Sequence, residues 1–271
     1  MKRITIRELQ LIQLAAMKDI HRFCVLHNIS YYIIGGTLLG AIRHNGFIPW
    51  DDDIDIAMMR ADYEQFISLF PLKCESDKYF LQNYASEKQF QPALSRVCIK
   101  GTYVDVPAER HLKICKNTYI DIFPLDNVPD SIQQRNKQKL DLMRIDRIFE
   151  LKLGRIYNKG FMGWKIAAKR LISLSMSVIP FSVLQNKRVS VMKRFESQNT
   201  KCVCSTVSQY GYNRQIIDRE IYGIPKLYKF EDTEFYGPEC FDLYLTHIYG
   251  NNYMIIPPVD KRVKPHDAYL E

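Results

Sequence analysis

The sequence predicts a mixed α/β fold of the α+β kind, and three observations carry that expectation. Short apolar strands alternate with amphipathic helices over residues 1–130. A basic segment almost free of strand signals follows over residues 131–200, and a mixed tail rich in aromatics, Pro and Gly fills 201–271. The composition, 46% hydrophobic and 25% charged over 271 residues, excludes a mostly disordered chain and supplies a real core.

Each element has a local reason. Thr5 and Glu8 form a capping box, and Leu9, Ile12, Ala16, Ile20 and Phe23 then recur every three or four residues, the apolar face of a helix. Asn28 stops that helix, because Asn tolerates the left-handed backbone that follows a helix end. Tyr31 to Ile34 is a short strand of β-formers running into Gly35-Gly36-Thr37, after which Leu38 to His44 makes one or two helical turns. Asn45-Gly46 is a turn. Asp53 to Met58 forms a second strand and Asp62 to Phe70 a second helix. Leu94 to Ile99 and Tyr119 to Phe123 are further strands. Cys202-x-Cys204 reads as a piece of strand rather than as redox chemistry.

The charge is uneven. Residues 131–200 hold 15 Lys and Arg against 4 Asp and Glu, a net of +11, while the remaining residues hold 23 against 26, a net of −3. This basic segment lacks a nucleic-acid motif and interleaves its charge with Leu, Ile and Met, so no nucleic acid is expected as a partner. Leu171 to Leu184 carries no charge, contains Pro180 and is too short to span a membrane. Lys165, Lys169, Arg170, Lys187 and Arg188 flank it, which suits a helix lying on an anionic membrane surface or, equally, a packed helix with a solvated face. Seven cysteines without metal-like spacing argue against a disulfide framework and against a zinc site. Charges near the N-terminus stand where a signal peptide needs its apolar run, so a cytoplasmic protein is expected, with peripheral attachment to the inner face of the cell membrane as an option.

The sharpest chemical signal is Trp50-Asp51-Asp52-Asp53-Ile54-Asp55-Ile56. On an extended strand Asp51, Asp53 and Asp55 share one face, and such a cluster is tolerable where a hard divalent cation neutralises it. A solvated acidic turn is the bland alternative, against which the interleaved Ile54, Ile56 and Ala57 speak. A calcium loop of EF-hand type fails because Ile56 replaces its Gly and Asp62 its final Glu. Upstream, Gly35-Gly36-Thr37 joins a strand to a helix, a geometry that lets backbone approach a phosphate. Downstream, Asp121 stands on an alternating strand, and if that strand lies beside Asp53 and Asp55 it becomes a third ligand. The ordered set describes a metal-dependent transferase acting on a nucleotide.

At these residues the sequence resembles the LicD family, phosphocholine transferases related to fukutin and fukutin-related protein. The likeness runs from Ile34-Gly35-Gly36-Thr37-Leu38-Leu39-Gly40 through Arg43-His44 and Gly46-Phe47-Ile48-Pro49-Trp50 to Asp55. Ile120-Asp121-Ile122-Phe123-Pro124-Leu125-Asp126 is similar to the family's second motif. Tyr244-Leu245, Tyr249-Gly250, Tyr253-Met254, Pro257-Pro258 and His266 are similar to its C-terminal signature.

The resemblance implies a fold like the polymerase-β-type nucleotidyltransferases over 1–130, a basic helical insert over 131–200 facing membrane or acceptor, and a segment over 201–271 that completes the active-site region. It further implies Mg²⁺-dependent transfer of a phospho-alcohol, phosphocholine before ribitol phosphate, from a CDP-linked donor to a sugar hydroxyl, releasing CMP. The acceptor it implies is a lipid-linked precursor of a cell-surface glycan, whether lipopolysaccharide, capsule or teichoic acid. Asp53, Asp55 and Asp121 are then the ligands of Mg²⁺, with Mn²⁺ as a substitute, and Asp51 joins them as a catalytic residue. Gly35, Gly36 and Thr37 are expected to cradle donor phosphate, with Arg43 and Arg96 as weaker phosphate partners. His44 and His266 are not assigned catalysis, since a lone His is more often structural. Two other readings stay open: nucleotidyl transfer to a small molecule on the same fold, and a non-catalytic glycan- or membrane-binding protein.

Overall fold

The computed structural model describes residues 1–74, 77–152, 179–207, 210–262 and 265–271. Strand β1 (Lys2–Arg3) leads into helix α1 (Ile6–Leu26), whose first turn carries the expected capping box between Thr5 and Glu8. Leu9, Ala16, Ile20 and Phe23 are buried as the periodicity requires, and Asn28 takes the left-handed backbone with φ 52°. The same buried face includes Gln10 and Gln13, which no apolar pattern foretells.

Strand β2 (Tyr32–Ile33) runs straight into helix α2 (Gly35–His44), so the helix starts at the glycines rather than at Leu38. Asn45 ends it in the left-handed conformation. Strand β3 (Asp55–Met59) begins two residues later than expected, and α3 (Arg60–Lys73) follows it directly. Strands β4 (Tyr79–Gln82), β5 (Ser95–Ile99), β6 (Thr102–Asp105) and β7 (Tyr119–Val128) come next, the last twice as long as its apolar alternation suggested. Helices α4 (Ile132–Lys152) and α5 (Phe181–Met192) lie in the basic segment. Strands β8 (Cys202–Cys204) and β9 (Ile216–Asp218), helix α6 (Arg219–Tyr222), hairpin β10 (Lys226–Phe230) and β11 (Thr233–Gly237), helix α7 (Phe241–Tyr249) and strand β12 (Asp267–Leu270) complete the order. This is the α+β architecture expected.

The central sheet runs β2-β3-β7-β5-β4, with β8 pairing β7 and β9 pairing β8. Strands β3 and β7 are parallel, with Asp55 opposite Asp121, while β2–β3, β5–β7 and β4–β5 are antiparallel. Helices α1, α2, α3 and α7 bury their apolar faces in one core with this sheet, around Met17, Ile20, Ile33, Leu38, Ile56 and Phe66. A smaller sheet, β1-β12-β6, joins residues 2–3 to 267–270 and sets the residue before β12, His266, beside Asp52 in the loop that precedes β3. Helices α4 and α5 share a second cluster with β8, built on Leu142, Phe149, Leu184 and Val191. Within the described residues no helix is long and apolar enough to cross a membrane.

The basic segment is not uniformly a surface. Lys165, Lys169 and Arg170 lie outside the described residues, and Lys187 is exposed. Arg188 departs from the expected solvated face: it is buried, ion-paired with Asp146 and stacked 4.2 Å over the Phe149 ring.

Candidate active site

The acidic motif is a loop, not a strand. Asp51 to Ile54 have no ladder partners, and the strand begins only at Asp55, so Asp51, Asp53 and Asp55 do not alternate along one extended face. What fixes the loop instead is α1. The Gln10 amide donates to the carbonyls of Ile48 (3.2 Å) and Asp51 (2.9 Å), and the Gln13 amide to those of Asp52 (2.9 Å) and Tyr119 (3.3 Å). Gln13 thereby joins the acidic loop to the start of β7. Sequence reasoning missed both; the signal was two Gln interleaved with Leu9 and Leu14 on a face otherwise apolar.

Helix α2 supplies the other support. Ile34 N–H donates to the Asp55 carbonyl, Asp55 N–H donates to Thr37 Oγ1 at 2.9 Å, and Gly35 N–H donates to the Tyr244 hydroxyl. Gly35 has φ +55°, which glycine alone adopts readily. A Cβ on Gly36 would stand 2.6 Å from Asp51 Oδ2, so the glycine lets the carboxylate approach the helix end. The partial positive charge of the α2 N-terminus offsets part of the negative charge gathered there.

The oxygens of Asp51, Asp52 and Asp53 lie within 4.8 Å of one another, a group able to hold a cation. The expected ligand set was Asp53, Asp55 and Asp121. Asp53 stands in both groups, Asp52 was not anticipated, and Asp55 and Asp121 face each other across the β3–β7 register. The charge state reflects the crowding. Burial, then Asp52, raises Asp51 to about 6, with Arg43 opposing. Burial, followed by Asp51, Asp52 and Asp121, raises Asp53 to about 8. Solvent reaches the Asp53 side chain, so water moderates the rise, but its direction follows from three carboxylate neighbours. Burial and then Asp53 and Asp121 hold Asp55 well above the usual carboxylate range. An oxygen-only donor set whose charges repel one another fits a hard divalent cation.

The basic residues are spoken for. Arg96 is 7% exposed and donates through Nε to Asp121 and through Nη1 to both oxygens of Glu109, each at 3.0 Å, while it stacks 3.8 Å over the Tyr119 ring. Arg43 donates to the carbonyls of Tyr253 (2.8 Å) and Ile255 (3.3 Å), tying α2 to the C-terminal loop. Both arginines therefore stand near the acidic group already engaged with protein, rather than as free phosphate partners. His266 places its Nδ1 2.9 Å from Asp52, which raises its pKa, while His44 stands edge-on to Trp50.

A family model of the LicD/FKTN/FKRP nucleotidyltransferase domain matches residues 28–150, the span from the end of α1 through the acidic loop and β7 to α4. The match covers a little under half of the chain. At full length the chain is 28% identical over 278 residues to the lipopolysaccharide cholinephosphotransferase LicD of Haemophilus influenzae, covering 100% of both chains. An uncharacterized protein of Rickettsia prowazekii is 38% identical over 107 residues, 40% of this chain and 30% of that one. The human ribitol 5-phosphate transferase FKRP is 38% identical over 53 residues, 18% of this chain and 11% of its own. Asp51, Asp52, Asp53, Asp55 and Asp121 all fall inside the matched span.

Proposed function

We propose that this protein transfers phosphocholine from CDP-choline to a sugar hydroxyl of a lipopolysaccharide or related surface-glycan precursor and releases CMP. That it is a phosphotransferase rests on its LicD-family domain and on its full-length similarity to a cholinephosphotransferase. The observation that carries the chemistry is the crowded carboxylate group of Asp51, Asp52 and Asp53 beside Asp55 and Asp121. These are oxygen ligands with a surplus of negative charge, as binding of a metal–diphosphate requires.

In this reading Asp53, Asp55 and Asp121 hold Mg²⁺, or Mn²⁺ in its place. When bound, the ion offsets charge on the donor's diphosphate oxygens. Gly35, Gly36 and Thr37 form the α2 N-terminus that cradles the donor phosphates; the N–H groups of Gly36 and Thr37 are the ones offered, since that of Gly35 is held by the Tyr244 hydroxyl. Arg96 acts through Asp121, holding one of its oxygens so that the other stays oriented toward the ligand. Asp51, beside the group that would hold the ion, takes the proton of the acceptor hydroxyl. The hydroxyl oxygen bonds to the β-phosphorus, the bond from that phosphorus to the bridging oxygen breaks, and CMP departs with the electron pair. Peripheral binding to anionic lipid through the basic segment belongs to the same proposal, with Lys137, Arg144, Arg147 and Lys187 among its exposed cations.

The test is CMP release. The full chain is incubated with Mg²⁺ and CDP-choline, CDP-ribitol or CDP-glycerol, with and without lipopolysaccharide acceptors. CMP release from CDP-choline that depends on acceptor and Mg²⁺ supports the reading. No CMP from any donor with any acceptor would overturn it, and nucleotide left on the acceptor would mark nucleotidyl transfer instead.

A further inference from the structure

Between the segments 91–93 and 108–114 and helices α4 and α5 lies a cavity of about 420 Å³. That is within the roughly 300–1,000 Å³ of small-molecule sites. Its wall includes Glu109, the residue that holds Arg96, which in turn holds Asp121. Two ion pairs of 3.0 Å thus connect the cavity wall to the candidate metal ligands.

The polar atoms around this cavity are unusual. Buried side-chain nitrogens and oxygens are nearly always hydrogen-bonded. Among the described residues eight are not, and five of these belong here: Gln91 Nε2, Arg188 Nε and Thr206 Oγ1 on residues of the wall, with Gln185 Oε1 and Ser205 Oγ just behind. The surrounding scaffold is well made. Gln185 donates to the Gln91 carbonyl at 2.6 Å, Arg188 donates to the same carbonyl at 2.7 Å, and Arg188 is ion-paired with Asp146. Arg188 and Gln185 are 9% and 2% exposed.

We propose that this cavity binds a saccharide ring of the acceptor. Hydroxyl groups both donate and accept, and the wall residues carry unpartnered groups of both kinds, donors at Gln91 and Arg188 and a hydroxyl at Thr206. Leu112, Leu142 and Pro92 line the same cavity and suit the C–H face of a sugar. An anionic ligand fits poorly. Arg188 is neutralised by Asp146, and Glu109 adds a carboxylate to the wall, so there is no surplus positive charge for a diphosphate. The proposal rests on the reading that the acceptor is a glycan, and two ion pairs link the cavity wall to Asp121.

The test does not need turnover. Binding of methyl hexosides and N-acetylglucosamine to the full chain is measured by saturation-transfer NMR without Mg²⁺, and binding of CDP-choline and inorganic phosphate with Mg²⁺. Ala108→Trp obstructs the exposed rim, and Thr206→Val removes one hydroxyl at constant size. Saccharide binding should be abolished in the first and weakened about fivefold to tenfold in the second. CDP-choline binding should be unchanged in both, and thermal melts report folding. If Ala108→Trp does not fold, Thr206→Val decides. Wild-type protein that binds no saccharide at millimolar concentration, or variants that bind as wild type does, would overturn the assignment. So would loss of CDP-choline or phosphate binding in Ala108→Trp with saccharide binding kept, since the cavity would then belong to the donor. Failure of the phosphotransfer reading is separate, because it shows as absent CMP release in the wild type.

Discussion

Strand β7 carries two aspartates, each facing an arginine, with opposite consequences. At its far end Asp126 is 0% exposed, and Arg60 grips both of its oxygens at 2.7 Å. Burial raises that carboxyl and the bidentate guanidinium opposes the rise; Arg60 also reaches Glu64 at 3.4 Å, whose charge Lys193 offsets at 3.1 Å, so the charges there are matched. At its near end Asp121 gives one oxygen to Arg96, and Arg96 also serves Glu109. Asp53 and Asp55 then crowd the same place with carboxyls that one guanidinium, already shared between Asp121 and Glu109, does not balance. A matched pair makes structure, whereas an unmatched surplus of carboxylates is a place for a cation.

The largest effect should come from breaking the matched pair. Arg60→Met leaves Asp126 buried without a partner, and urea denaturation should show a loss of about 3–5 kcal/mol. CMP release per folded molecule should stay near wild type. Asp55→Asn should do the reverse. Activity should fall roughly 10²–10³-fold, while the urea midpoint holds or rises because a like charge has been removed. A melting temperature that collapsed with Asp55→Asn would erase the distinction between the two ends of β7.

Mg²⁺ provides a third measurement. At a hundredfold excess over Kd it should add about 2.7 kcal/mol of stability, and Asp55→Asn should lose most of that gain. pH sharpens the point. Asp53 is raised to about 8, so the folded protein keeps a proton that the unfolded chain releases near 4. Metal-free stability should therefore decline as pH rises from about 4 to about 8, then level off. Mg²⁺ should flatten that decline, since the ion binds the deprotonated group. A metal-free stability that rose across this range would contradict the crowding.

The smallest effect concerns Arg96. Arg96→Lys keeps one charge but cannot serve Asp121 and Glu109 together. Activity should fall about tenfold, with a weaker dependence on Mg²⁺, and Glu109→Gln should move the same quantities in the same direction. Unchanged Mg²⁺ dependence in both would leave Arg96 as a packing residue only.

The sequence by itself determined the local elements and the acidic residues. The capping box at Thr5, the left-handed Asn28 and Asn45, and strands near Tyr32, Ser95 and Cys202 follow from neighbours in the chain, and so they were legible. Asp51, Asp53, Asp55 and Asp121 stood out because carboxylates interleaved with buried Ile are costly without a purpose. Only the tertiary structure decided their arrangement. The loop at Asp51–Ile54 is set by Gln10 and Gln13, about forty and one hundred residues distant from the groups they hold, and such partners leave no periodic trace. It also decided the state of the arginines. Arg96 and Arg188 read as cations free to meet phosphate or membrane, but folding brings Asp121, Glu109 and Asp146 to them. Whether a charge is spent or available depends on what lies across the fold, and that is fixed by long-range packing rather than by any pattern along the chain.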